Sequence, residues 1–286
     1  MIVTIANGRL RPAAAVLALA CAVIPAAAQA GEDASRWDGD ARSAVRLIAG
    51  SRADASAPLR AGIEIRLAPG WHTYWRYPGD AGVPPRFDFA GSRNVDTIDV
   101  RFPAPKRLPE AGMIAIGYDR DVVLPLAIVA QDPAKPVLLQ LKLDYAVCEK
   151  LCVPADGKAE LTLAIGPSTM EDAFAAAEAR VPKRLKVNEG GMLSIRSVKR
   201  EERAPKPRVI VDVAAPPGAT VDLFAEGPTP DWALPLPTPE PGAPAGLQRF
   251  AFDLDGAPPG EKYQGAVIRL TAIAADEAIE VATRLD

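Results

Sequence analysis

Twelve consecutive residues, Val137 to Cys148, alternate without a break. Val137, Leu139, Leu141, Leu143, Tyr145 and Val147 fall on one face. Leu138, Gln140, Lys142, Asp144, Ala146 and Cys148 fall on the other. A period of two is the pattern of a half-buried β-strand. Leu161, Leu163 and Ile165 alternate with Thr162 and Ala164 and predict a second strand. The two are expected to pair as a hairpin, with a loop near 149–158. Gly62–Leu67 repeats the pattern through Ile63, Ile65 and Leu67, and so do Ile98, Val100 and Phe102. Short strands at this frequency, separated by Gly and Pro, predict a β-sandwich. The 29 prolines in 286 residues are in keeping with many turns; they are about twice the usual share.

The period changes between Ser168 and Val181. Met170, Phe174, Ala177 and Val181 form one helical stripe. Ser168 or Thr169 is placed to cap the start, with Glu171 and Asp172 in the first turn. Strand patterns then return at Val209–Val213, Phe250–Leu254, Ile268–Ala272 and Ile279–Val281, while the proline-rich stretch 228–244 reads as a long loop. The expected architecture is all-β: a sandwich domain over 31–166, a linker helix over 167–183, and a second, smaller β-sandwich domain over 184–286.

Residues 1–30 read as a signal peptide. Arg9 and Arg11 precede the apolar stretch Ala13–Ile24, and Ala28-Gln29-Ala30 forms a small-x-small site before Gly31. The stretch is too short to span a bilayer, which takes about 20 residues. No later run qualifies, so the mature chain is expected to be exported and free of membrane spans. Its compartment is oxidising, which favours pairing of the two cysteines that remain, Cys148 and Cys152. Lys plus Arg is 33 and Asp plus Glu is 36, a net charge of -3. Nothing there favours a nucleic-acid partner.

Cys148 and Cys152 enclose Glu149-Lys150-Leu151, a C-x₃-C spacing rather than the C-x-x-C of thioredoxin-type sites. On the hairpin reading Cys148 ends a strand on its polar face, Cys152 lies in the loop, and both sulfurs are near the surface. Thiol exchange needs that access. A disulfide closing so short a loop contributes only ~2 kcal/mol through chain entropy, which is a poor device for stability in a domain of ordinary size. Redox exchange and a structural staple both remain open at this level. Metal binding is the weakest reading. Zinc takes four ligands, and the chain offers one histidine, His72, besides the pair. A copper site using Met113 or His72 has no support in the spacing. No metal ligand and no cofactor is assigned. Serine catalysis and phosphate loops are excluded by the absence of their motifs.

The segment Gly70-Trp71-His72-Thr73-Tyr74-Trp75-Arg76-Tyr77-Pro78-Gly79-Asp80 holds four aromatic rings in a chain that is 6% aromatic. Such rings pack cores wherever they fall, and they can also form a lid over a reactive site.

Two segments carry a family resemblance. Gly70-Trp71-His72-Thr73-Tyr74-Trp75, with Pro78-Gly79-Asp80-Ala81-Gly82 and Pro84-Pro85 after it, is one. Tyr145-Ala146-Val147-Cys148-Glu149-Lys150-Leu151-Cys152-Val153-Pro154 is the other. Together they resemble the amino-terminal domain of DsbD-type proteins, in the ScsB-like branch, over roughly 35–166. The resemblance implies an immunoglobulin-like sandwich in the bacterial periplasm and a cysteine pair that cycles between dithiol and disulfide. It implies that Cys152 forms mixed disulfides and Cys148 resolves them. An aromatic cap falls on Tyr74 and Trp75, with Trp71 beside them. The implied activity is that of a protein-disulfide reductase component, with electrons arriving from a membrane donor of the DsbD/ScsB type and leaving to periplasmic thioredoxin-like proteins. This chain has three residues between the cysteines, where the well-known members have five. It ends at Asp286 without a membrane domain, so the donor is expected to be a separate protein. The rival readings are a binding or scaffold module with a permanent disulfide and, from the ScsB-like likeness, a copper-handling protein of copper tolerance.

Overall fold

The computed structural model describes residues 33–110 and 112–286. The expected signal peptide and Cys21 lie outside the described residues. In chain order the first half contributes β1 (Asp38–Gly39), β2 (Ser43–Ala49), β3 (Leu59–Leu67), β4 (His72–Gly79), β5 (Arg86–Asp88) and β6 (Val95–Val100). It continues with β7 (Lys106–Glu110), β8 (Met113–Tyr118), β9 (Val122–Ala130), β10 (Val137–Cys148) and β11 (Cys152–Leu163). One sheet has the order β1-β2-β3-β9-β6; the other runs β11-β10-β4-β8-β7, with β5 pairing β10. The two sheets face each other across a core in which Leu47, Ile63, Leu124, Ile116, Leu139 and Leu143 are fully buried. Each such side chain contributes about 1.5–3 kcal/mol by leaving water. This is an immunoglobulin-like β-sandwich.

The alternation in β10 matches this burial. Val137, Leu139, Leu141, Leu143, Tyr145 and Val147 all enter the core. The hairpin loop is shorter than the sequence suggests. Cys148 pairs directly with Cys152, so the turn is 149–151 and β11 pairs β10 along its whole length. Pro154 sits inside β11 opposite Ala146. That is tolerated because β11 is the edge of its sheet, where a missing N–H breaks no ladder.

The helix α1 spans Glu171–Ala179, shorter than the stripe suggests. Ser168 does not cap it. Its hydroxyl donates to the Ala49 carbonyl and accepts the Met170 N–H. Phe174 and Ala177 are the buried face, and Arg60 of β3 holds the helix through Glu171 at 2.6 Å and Glu178 at 2.7 Å. No helix among the described residues is long and apolar enough to cross a membrane.

The second half supplies β12 (Lys183–Leu185), β13 (Ser194–Glu201), β14 (Arg208–Ala214), β15 (Val221–Glu226), β16 (Thr238–Pro239), β17 (Leu247–Asp253), β18 (Val267–Ala274) and β19 (Glu277–Arg284). Two four-stranded sheets, β12-β19-β18-β15 and β13-β14-β17-β16, enclose Val209, Val211, Leu223, Phe250, Leu270 and Val281. The proline-rich stretch is not empty loop: Trp232 and Leu234 are buried in this core.

The described residues form one compact unit. The aromatic segment explains part of the joint. Pairing of β4 with β8 breaks between Tyr74 and Gly79, which frees Trp75, Arg76 and Tyr77 to meet the second half. Trp75 packs against Phe224 with the rings tilted and their centroids 5.9 Å apart. Arg76 binds Glu226 at 2.7 Å and Glu280 at 2.5 Å. The Tyr77 hydroxyl donates to the Leu234 carbonyl at 2.7 Å.

Candidate functional site

The end of β10 departs from the simple two-faced pattern. Its outer face is polar through Lys142 and Asp144, but Ala146 and Cys148 are buried. Cys148 is only 1% exposed. A small second cluster covers it, made of Tyr74, Leu108, Ala115 and Ala146, with Ala81 packed against them. These residues come from β4, β7, β8, β10 itself and the turn after β4. The site is thus built on the outside of the sandwich from strands distant in sequence. Thr73 and His72 of β4 pair with Val147 and Cys148 of β10. The Thr73 hydroxyl donates to the Ala146 carbonyl at 2.9 Å and fixes this register.

Cys148 and Cys152 form a disulfide whose Cα atoms are 4.1 Å apart. The two residues differ in access. Cys152 opens β11 and is exposed, as is the tip residue Leu151, at 78%. Cys148 lies beneath the cluster. The expectation that both sulfurs are near the surface is therefore corrected: the strand's outer face is covered here, and only Cys152 is open.

The three expected cap residues separate. Tyr74 is 2% exposed, and its hydroxyl stands 3.1 Å from the Cys152 sulfur. The glycines of the Pro78–Gly82 turn seat it. Gly79 adopts φ +75, and a Cβ on Gly82 would come 2.6 Å from the Tyr74 ring. Trp75 points the other way, into the inter-sheet core, fully buried. Trp71 is half-buried, packs against the same core, and carries the Arg42 guanidinium 6.0 Å from its ring. Only Tyr74 touches the disulfide among these three.

Glu110, at the end of β7, is the residue that sequence reasoning missed. Its carboxylate accepts from the Tyr74 hydroxyl at 3.1 Å. It lies 3.2 Å from His72 Nε2, 2.7 Å from the Cys152 sulfur and 3.2 Å from the Cys148 sulfur. Neither sulfur carries a hydrogen in the disulfide, so these are close approaches. After reduction each thiol has an S–H to donate to the same carboxylate. The Glu110 side chain is 12% exposed and that of His72 13%. His72 and Tyr74 meet edge to face, their centroids 5.6 Å apart. Burial, and the charge of Glu110 beside it, push the Tyr74 phenol well above its ordinary 10.0. It therefore stays protonated and remains a donor at physiological pH. No local motif marks Glu110, one acid among 36 acidic residues. Only the pairing of β7 with β8, and of β8 with β4, brings it to the cysteines.

Comparison with known proteins bears on the family and the fold. Residues 44–164 match the family model described as thiol:disulfide interchange protein DsbD, N-terminal. The solved N-terminal periplasmic domain of ScsB from Proteus mirabilis superposes with a TM-score of 0.69 at 21% identity, covering 89% of this chain and 98% of that one. No curated protein sequence matches the chain.

Proposed function

Since residues 44–164 are a domain of the DsbD amino-terminal family, we propose that this protein is a periplasmic thiol–disulfide exchange protein that relays electrons through Cys148 and Cys152. The observation that carries the reading is the unequal access of the pair. One sulfur is open at a hairpin tip beside the exposed Leu151, and its partner is buried directly behind it. Exchange proceeds by attack of a thiolate on one sulfur through a mixed disulfide. A partner reaches Cys152 only, and Cys148 stands next to it to break the mixed disulfide from within.

The chemistry balances over two partners. A donor dithiol gives two electrons and two protons to the Cys148–Cys152 disulfide and leaves as a disulfide. The resulting dithiol reduces an acceptor disulfide in the same way. Glu110 is positioned to take the thiol proton of either cysteine as it becomes a nucleophile and to return it to the departing sulfur. Tyr74 restricts approach to Cys152. Trp75 serves the core, and Trp71 its margin. The cysteines carry the electrons, so the reaction uses no cofactor.

In this reading residues 1–30 direct export, 31–166 are the redox module, 167–183 the linker and 184–286 a second domain that the Trp75–Tyr77 segment holds in place. The donor is a membrane protein of the DsbD/ScsB type and the acceptors are thioredoxin-like proteins. The reduction potential of the Cys148–Cys152 pair tests the reading. A value above about -300 mV is expected, since permanent structural disulfides lie below it. A lower value gives the pair a structural role.

A further inference from the structure

His72, Glu110 and Cys148 each offer one ligand atom, and these atoms lie within 4.8 Å of one another. Cys152 adds a second sulfur 2.7 Å from the Glu110 carboxylate. The donor set is one imidazole, one carboxylate and two sulfurs. That combination suits a borderline-soft divalent cation held tetrahedrally. At bond lengths of 2.0–2.3 Å, ligand atoms in such a site stand about 3.3–3.8 Å apart. Glu110 Oε2 stands 3.2 Å from His72 Nε2 and Oε1 stands 3.2 Å from the Cys148 sulfur, both close to that shell, while the Cys152 sulfur at 2.7 Å from Oε1 has to move outward to join it.

We propose that the reduced form of this site binds a divalent cation of the zinc class through Cys148, Cys152, His72 and Glu110, and that the disulfide form does not. The gate is the sulfur chemistry. Thiolates are the metal ligands, and in the disulfide both sulfurs are spent on each other. Reduction by a dithiol supplies two electrons and two protons and yields two thiols. Cation binding then displaces those two protons and joins both sulfurs to the metal. To reach a ligand separation the sulfurs must part, and Cys152 can turn because it is exposed at the hairpin tip.

The remaining ligands are already in place. His72 pairs with Cys148 across β4 and β10, so imidazole and thiolate rise from adjacent positions of one sheet. The Tyr74 hydroxyl holds the Glu110 carboxylate at 3.1 Å, the kind of outer contact that orients a metal ligand. The sequence alone argued against a metal because it offered three candidate ligands; the fold adds Glu110 as the fourth. Occupancy would have a consequence for exchange. With both thiolates bound to the cation neither is free to attack, so the metal-loaded dithiol is a resting form.

The inference rests on the proposed exchange function in one respect, that the pair opens. The experiment titrates Zn²⁺ into protein of residues 31–286, once oxidised and once reduced by a phosphine and desalted without oxygen. Affinity is read by competition with a chromophoric chelator, and Co²⁺ serves as a spectroscopic probe of thiolate ligation. The expected result is one equivalent bound by the reduced form only, with thiolate-to-Co²⁺ absorption. Glu110→Gln and His72→Ala should each weaken binding roughly tenfold or more, the scale on which even outer-shell losses act. Glu110→Gln is near-isosteric, and an unchanged circular-dichroism spectrum and unfolding midpoint report an intact fold. Equal binding by oxidised and reduced protein, or binding unchanged in Glu110→Gln, overturns the proposal. A pair that opens readily yet takes up no metal removes the metal site and leaves the exchange reading standing. A disulfide that no dithiol opens removes both.

Discussion

The Tyr74 hydroxyl stands 3.1 Å from the Cys152 sulfur and is bound at the same time to the Glu110 carboxylate. The phenol thus covers the open side of a disulfide whose other sulfur is already buried. Tyr74→Ala should speed reduction by a small thiol several-fold, measured as a second-order rate at fixed pH. Tyr74→Phe keeps the ring and loses the hydroxyl, and should stay close to the parent rate if covering is the ring's work. An unchanged rate in a folded Tyr74→Ala protein would leave the ring as packing alone.

Trp75 lies next in the chain but belongs to a different part of the molecule. It is fully buried against Phe224 of the second half. Trp75→Ala should cost about 3–5 kcal/mol, as large aromatic truncations in cores do. Denaturant unfolding measures this. The rate of disulfide reduction in the folded variant should match the parent, since the ring does not contact the sulfurs. A faster rate at unchanged stability would return Trp75 to the cap.

These two neighbours show how far a sequence can be read. Alternation along β10 reports one buried face correctly from Val137 to Val147, because a period of two depends only on that strand and its core. The same alternation assigns Cys148 to a polar face. It is buried because Tyr74, Leu108 and Ala115 arrive there from other strands, and no local pattern encodes that arrival. Pro154 falls within the expected 149–158 loop and is instead an edge-strand residue. The cysteines were visible as a pair by spacing, and the aromatic segment by density. Glu110 carried no signal of its own, since its role comes entirely from strand pairing. His72 was visible as the chain's lone histidine, but its partner was not.

Stability in acid should depend on Asp212, which lies in the second half. Arg249 binds its carboxylate at 2.7 and 3.0 Å, and the Ser197 hydroxyl donates at 2.9 Å. The Arg249 hydrogen bonds hold Asp212 below its ordinary 3.8. A carboxyl held low when folded takes up its proton more readily when unfolded. Its stabilisation is therefore complete above pH 3.8 and is lost as pH falls through the lower folded value. Asp212→Asn should cost about 1–3 kcal/mol at neutral pH, the scale of hydrogen bonds to a charged group. The gap between variant and parent should close as the pH drops below the ordinary aspartate value. Urea unfolding across a pH series tests this, and a gap that stays constant into strong acid would contradict it.

Covalent capture distinguishes the two cysteines. Cys148 is 1% exposed and sits beneath Tyr74, Leu108 and Ala115. An incoming thiolate would have to displace that cluster to reach it. Cys152 is exposed at the start of an edge strand. A mixed disulfide on Cys152 leaves the Cys148 sulfur directly opposite, on the paired residue of β10. Removing Cys148 removes the group that would resolve it. Cys148→Ser should therefore accumulate a covalent adduct with a thioredoxin-like protein in acid-trapped periplasm, seen on a non-reducing gel and identified by mass spectrometry. Cys152→Ser should accumulate none, because its remaining thiol is covered. Adding Tyr74→Ala to Cys152→Ser opens that cover, and a weak adduct should then appear on Cys148. Adducts from Cys152→Ser alone would reverse the assignment of the two sulfurs. Adducts from neither single variant, together with a disulfide that resists dithiols, would make the pair a staple at the hairpin tip.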